Sequence, residues 1–581
     1  MKNFIVLSIV LLMLSGFTSA QNLDEWLTKF EKSDYLSTDD YENSAAYFKK
    51  LAENSEYAHY FTFGVSPQGR ELAAVIVSKN QNFDPVPLSQ RKVPLVMIQN
   101  GIHSGEIEGK DACMIMLREI LITKEKFNYL DNVDLLIIPI FNVDGHERKS
   151  PFNRINQNGP QEMGWRTTSQ NYNLNRDFMK ADAPEMQALL KLFSDFLPDF
   201  YIDTHTTNGA DYQYTITYDI QRWQNVYPAA SRWISDEYIP FIESEFDKSS
   251  YFISPYVGYK KRDVKNGVTY WASSPRFSHG YAVVQNRPGL LIETHMLKAY
   301  KDRVFSTQIL LEATIKKVGK DSDLLLSINR EADEYYSNRS LRHIPLNLTL
   351  LDTSFSTMKY KGFKSVRKFS EIAGTEITVY SDIPFEIEVP VYDVFEVKDS
   401  ALIPLSYYIP KEYEEIVVRL KLHGIEVKEL NDNEDREVVV TKFDDVKFPS
   451  NPFENRFQPT FTYNEFTETR TLLRGGYLIE TNQRTLPVIV HLLEVNAPDS
   501  FIKWGFFNHI FERKEYFEVY SMEPIAQQMY KNNKYLRTEF EEKLKDENFA
   551  KNLYARLNFF YERSEYFDKK YREYPVYKIL R

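Results

Sequence analysis

Between residues 60 and 320 the chain alternates short, almost wholly apolar runs with longer stretches patterned as helices. The apolar runs cover residues 70–77, 93–98, 133–140, 200–202 and 289–292. Runs with hardly a polar residue at alternate positions suit strands buried on both faces, inside a parallel or mixed sheet. The intervening patterns, at 107–123, 183–196, 229–247 and 302–318, are long enough for helices to cover both faces. The expected fold class is α/β, a mixed sheet flanked by helices. In open sheets of this class ligands gather just past the carboxyl ends of the strands, so the residues that follow each run are where chemistry is sought.

The remaining length sets the organisation. A chain of 581 residues exceeds one ordinary domain. After about residue 330 the texture changes. Residues 340–410 are rich in β-branched and aromatic types with frequent Pro, as an antiparallel β module requires. Residues 411–422 pattern as a helix with Gly424 as its stop, and 510–570 as helices. The expected division is 1–20 as a leader, 21–325 as an α/β domain, 326–420 as a β-rich module and 421–581 as an α+β region to which no role is assigned. A net charge of -11 argues against nucleic acid as a partner. Oligomeric state is left open.

The first twenty residues have the pattern of a secretory leader. Lys2 supplies the positive start, residues 4–14 the apolar stretch, and Thr18, Ser19 and Ala20 the small residues before a cut near Gln21. The apolar stretch falls short of the roughly 20 residues that span a bilayer. The expectation is export, to a periplasm or the medium, without stable membrane insertion. Cys113 is the single cysteine, so no intrachain disulfide is possible; it lies in an apolar helical run and is expected to be an inert core residue.

Zinc takes imidazole nitrogens and a carboxylate, and His-x-x-Glu is the simplest sequence form of that pairing. The chain has four: His103/Glu106, His423/Glu426, His491/Glu494 and His509/Glu512. His491 lies in an apolar run expected to be a strand, where residues three apart face opposite sides. His423 stands at a helix end, where it would cap carbonyls or face solvent. His509 and Glu512 read as an exposed ion pair on a helix face. His103 differs, because it follows a buried strand and the turn residues Asn100 and Gly101. Two more polar groups occupy the same place on other strands: His205 after 200–202 and Glu293 after 289–292.

These landmarks, in this order, resemble the zinc carboxypeptidase family, the M14 or carboxypeptidase A-like metallopeptidases. The matching segments are His103-Ser104-Gly105-Glu106, Trp165-Arg166, Leu174-Asn175-Arg176, Asp203-Thr204-His205 and Ile292-Glu293-Thr294. The resemblance covers residues 45–320. It implies a carboxypeptidase-like, eight-stranded type of mixed sheet. It implies one zinc per chain held by His103, Glu106 and His205, with Glu293 as general base and Arg166 facing the developing oxyanion. Asn175 and Arg176 would bind the terminal carboxylate, so the substrates would be peptide or protein C-termini. Asn173 stands where the family often has an aspartate that orients a zinc-ligand histidine. Tyr270 and Tyr281 both match the family's substrate-contacting tyrosine, and His295 is not counted as a ligand. Two rival readings remain: an amidase, deacylase or cell-wall peptide hydrolase on the same fold, and a binding protein that has lost catalysis.

Overall fold

A computed structural model of the chain describes residues 23–580; the expected leader lies outside the described residues. Its centre is an eight-stranded mixed sheet. In chain order the strands are β1 (Ala58–Val65), β2 (Glu71–Val77), β3 (Leu95–Gln99), β4 (Asp134–Ile138), β5 (Phe200–Thr207), β6 (Ile216–Ile220), β7 (Ile253–Pro255) and β8 (Gly289–His295). They lie side by side as β1-β2-β4-β3-β5-β8-β6-β7. The four middle strands, β4, β3, β5 and β8, run parallel to their neighbours in that group. These include the runs that read as apolar throughout, and the two faces of each explain why. Val96 and Ile98 of β3 enter one core with Leu117, Leu310 and Leu311, while Leu95 and Met97 enter another with Leu189 and Phe193. Alternate residues point to opposite faces, so a strand covered on both sides has no polar positions to spare.

Helices Glu108–Leu121 and Tyr300–Lys320 cover the first face. The second face is shared. Helix Pro184–Phe196 covers part of it, and Ile416, Leu420, Val488, Leu492 and Phe501 from far along the chain complete the same core. The later region thus packs directly against the sheet. It contains a six-stranded sheet in which Glu434–Lys447 and Thr460–Leu472 form a long antiparallel hairpin. Another long hairpin pairs Ser356–Ser370 with Thr375–Tyr392 in the β-rich stretch expected over 340–410. Position 325, taken from the sequence as the end of the first domain, lies within helix Ser322–Ser337.

Two local expectations are corrected. Residues 486–494, read as a strand, form the helix Leu486–Leu493. A short, wholly apolar run has no period to distinguish the two, and Pro487 in the first turn is a helix-start signal. The helical pattern at 229–247 is broken into Pro228–Trp233, a π turn Ile234–Tyr238 and Ile239–Phe246. Pro240 has no N–H to donate within that helix, and the wider turn precedes it. No helix among the described residues is long and apolar enough to cross a membrane.

Candidate metal centre

Three neighbouring parallel strands bring the chemistry to one edge. Gln99 of β3 pairs in register with Asp203 of β5, and His205 of β5 with Glu293 of β8. Past β3 the chain turns through Gly101, whose φ of +67° lies in the left-handed region that glycine tolerates. His103, Ser104, Gly105 and Glu106 follow, and helix Glu108–Leu121 begins. That helix starts tight against the sheet: a Cβ on Gly109 would lie 2.1 Å from Asn100 Oδ1 and 2.3 Å from Thr204 Oγ1. The close approach places Glu106 beside β5.

Glu106 Oε2 lies 3.1 Å from His103 Nδ1 and 3.0 Å from His205 Nδ1. One ligand atom from each of the three residues falls within 4.8 Å of the others, and all three residues are buried. Among the described residues this is the one such group. The partners of the far nitrogens assign the tautomers. His103 Nε2 lies 3.0 Å from Asn173 Oδ1, and His205 Nε2 2.6 Å from Asp203 Oδ2. Both oxygens only accept, so each Nε2 is assigned the proton and each Nδ1 the inward-facing lone pair; at His205 the short Asp203 contact outweighs the Asn175 amide nitrogen, 3.3 Å from the same Nε2. Two imidazole nitrogens and a carboxylate oxygen, buried and converging, fit zinc.

The two imidazoles are shifted in opposite directions although both are buried. Burial pushes His103 down to about 4. Burial also pushes His205 down, but the Asp203 carboxylate overrides it and holds the ring well above the usual range. The difference lies in the partner, an amide in one case and a carboxylate in the other. Burial acts to raise Glu106, yet His103 and Arg154 hold its carboxyl well below the usual range. Arg154 donates to Glu106 Oε1, and Arg166 Nη1 lies 3.3 Å from the same oxygen. Glu293 is different. Its Oε2 is buried with no hydrogen-bond partner among the described residues. Burial lifts its carboxyl to about 8, against the pull of His205 and with Glu106 adding to the rise.

The seven residues singled out in the sequence, His103, Glu106, Arg166, Asn175, Arg176, His205 and Glu293, all line one cleft of about 280 Å³. Arg176 is braced by its Nη1 bond to Asn175 O (2.6 Å) and lies over the Phe277 ring at 4.4 Å. Asn175 Oδ1 accepts from Ser278 N at 3.1 Å, which ties the start of helix Ser278–Val284 to the same wall.

Sequence reasoning missed several members. Neither Tyr270 nor Tyr281 lines the cleft; Tyr256 does, with its hydroxyl 3.4 Å from Thr207 Oγ1. Tyr281 is buried and bonds His423 Nδ1 at 3.0 Å. Asp203 was legible as a partner, since residues two apart on a strand share a face. His295 shares that face with Glu293 but packs on Tyr212, with ring centroids 4.5 Å apart. Arg154 sits in a loop with no distinguishing pattern.

The other three His-x-x-Glu pairs hold nothing together. His423 is fully buried rather than solvent-facing. His491 is also buried, while Glu494 accepts from Tyr407 Oη at 2.7 Å and pairs with Lys578. His509 lies in the 3₁₀ turn Asn508–Phe511 beside Tyr413, and Glu512 pairs with Lys514.

Residues 44–272 match the family model described as zinc carboxypeptidase; the match ends before Glu293. A protein named Carboxypeptidase 2 from Trichophyton equinum is 22% identical over 494 residues, which is 80% of this chain and 83% of that one. The Inactive metallocarboxypeptidase ECM14 of Saccharomyces cerevisiae is 34% identical over 107 residues, 17% of this chain and 24% of that one. A metallo-carboxypeptidase from Burkholderia cenocepacia, of known structure, is 17% identical with a TM-score of 0.37, covering 48% of this chain and 70% of that chain.

Proposed function

We infer that this chain, which carries a zinc carboxypeptidase domain over residues 44–272, is an exported enzyme that hydrolyses the last peptide bond of its substrates. The observation that carries this reading is the meeting of two sets of groups in one cleft: three converging donors, and a cationic wall beside a buried carboxylate. His103 Nδ1, His205 Nδ1 and Glu106 would hold the metal. Zinc bound there supplies a Lewis acid and lowers the pKa of a water ligand to about 7.

The chain's own residues do the rest. Glu293 takes a proton onto its carboxylate from the attacking water and delivers it to the leaving amine. Arg166 stabilises negative charge as it develops on the carbonyl oxygen. Arg176 and Asn175 fix the substrate's terminal carboxylate, the guanidinium through parallel charge-assisted bonds. Export rests on the leader pattern of the first twenty residues.

The test is a matched pair of peptides, one with a free C-terminus and one amidated, incubated with and without chelator. The free acid should be shortened one residue at a time, and chelator should stop it. Cleavage of both at equal rates, at internal bonds, would leave an endopeptidase or amidase on the same centre. No turnover of peptides or acyl amino acids would favour the binding protein.

A further inference from the structure

The two zinc-facing histidines are not held alike. Asp203 grips His205 Nε2 directly, and a carboxylate offers the same chemistry whichever oxygen it turns. Asn173 grips His103 Nε2 with an amide, and an amide has two unlike ends. Turned over, it would present its NH₂ to Nε2, force the proton onto Nδ1 and spoil that nitrogen as a ligand. Something has to decide which way Asn173 points.

That something comes from 281 residues away. Asn173 Nδ2 faces Glu454 Oε1 at 3.5 Å. The contact is long for a hydrogen bond, but it sets the polarity: a carboxylate accepts from the amide's NH₂ and repels its oxygen. Glu454 stands at the tip of a tight turn between strands Glu434–Lys447 and Thr460–Leu472. Phe453 and Arg456 exchange both backbone hydrogen bonds, at 2.9 and 3.0 Å. Glu454 and Asn455 between them have φ of +48° and +66°. Positive φ at both central positions is the type I′ hairpin turn, which favours Asn, Asp or Gly at the first of them and gives no backbone reason for Glu.

The turn is also clamped on either side. Phe453 stacks on Trp504 with ring centroids 6.2 Å apart. Arg456 forks onto Asp182, Nε to Oδ2 at 2.9 Å and Nη2 to Oδ1 at 2.5 Å, and lies 3.7 Å over Phe506. A strained glutamate, locked in place by its neighbours, is thus delivered to the amide that touches His103 Nε2.

We propose that Glu454 is a positioning residue for the metal centre: it fixes the orientation of Asn173, and through it the tautomer of His103 that leaves Nδ1 free to bind zinc. The later part of the chain thereby completes the metal site of the earlier part. The inference rests on the reading of His103, Glu106 and His205 as a zinc site.

The experiment measures zinc affinity of the metal-free full chain by competition with a chromogenic chelator. Glu454→Ala keeps a Cβ at the same left-handed position, so the backbone is no more strained than before. It should weaken zinc binding by about tenfold, the low end of what removing an outer partner does, with no change in the melting temperature of the metal-free protein. Asn173→Asp in the Glu454→Ala background should restore affinity, because a carboxylate needs no orienting. Zinc affinity within twofold of wild type in Glu454→Ala overturns the proposal. So does a loss that Asn173→Asp fails to restore, since the turn would then act through packing alone. If wild type binds zinc no better than His103→Ala, the metal centre itself is refuted and this inference falls with it.

Discussion

Asp203 and His205 lie two residues apart on the same strand, with Oδ2 of one 2.6 Å from Nε2 of the other, both buried. The pair fixes the ring so that Nδ1 faces Glu106, and its charge keeps His205 more basic than its burial alone allows. Outer carboxylates of this kind change metal affinity by about 10–100-fold when removed. Asp203→Asn is therefore expected to weaken zinc binding by one to two orders of magnitude. In the metal-free protein it should also lower the His205 pKa, followed by the ring proton shifts. Unchanged zinc affinity with a lowered pKa would show that the pair tunes the proton and not the metal.

Glu293 gives a pH signature in the metal-free protein. Its folded pKa is raised to about 8 from an ordinary value of 4.5. Between those values the folded state holds a proton that the unfolded state has released, so the contribution of this group to stability falls as pH rises. It is fully lost above about pH 8. Glu293→Gln cannot ionise, so the stability difference between variant and wild type should grow in the variant's favour from pH 5 to pH 9. Denaturant unfolding after removal of metal measures it, and the comparison with wild type is needed because His205, also raised, loses stability in the same direction as pH rises, whereas Glu106, lowered, changes only at acid pH. A difference that does not move with pH would mean that Glu293 titrates normally. With zinc restored, the same variant should keep its metal and lose about 10²–10⁴ in kcat, the usual worth of a positioned acid–base group.

How far the site could be read from the sequence depended on distance along the chain. His103, His205 and Glu293 each follow an apolar run, so the strands announced them, and strand-end position alone separated them from the decoy histidines. The decoys were dismissed for partly wrong reasons. His491 lies in a helix, not a strand, because Leu486–Leu493 carries no period to read. His423 is buried against Tyr281, a contact across 142 residues that no local pattern encodes. Asp203 was open to inference from the two-residue period of a strand. Glu454 and Tyr256 were not, since their places follow from how a hairpin and a loop dock. The docking itself is written only as ordinary apolar residues, such as Leu420 and Val488, whose partner could be any buried face.

That shared core bears on cooperativity. Leu420 is fully buried in the same cluster as Leu189 and Phe193, so the later region supplies part of the cover for the central sheet. Leu420→Ala should lose about 2–5 kcal/mol, the range for a buried large-to-small change. The loss should register in the metal centre too, because a shared core unfolds as one unit. Thermal melting followed by far-ultraviolet dichroism and by zinc release should shift together. Release of zinc at the wild-type temperature while the dichroism shifts would show that the sheet stands without its later cover.

The cationic wall is the test of where the substrate ends. Arg176 is braced by Asn175 O and by the Phe277 ring, and it lines the cleft that holds Glu293. A terminal carboxylate bound there gains charge-assisted hydrogen bonds of roughly 1.5–3 kcal/mol each. Amidation removes the charge and leaves the guanidinium unmatched. A loss of about 3 kcal/mol is more than a hundredfold in kcat/KM. Wild type should therefore prefer the free acid over its amide by at least that factor. Arg176→Ala should bring the two efficiencies within about tenfold of each other by slowing the free acid alone, because the amide never used the guanidinium. The comparison needs four rate measurements, two peptides with two proteins. If Arg176→Ala slows both peptides equally, the residue supports the fold of the wall and the carboxylate is bound elsewhere.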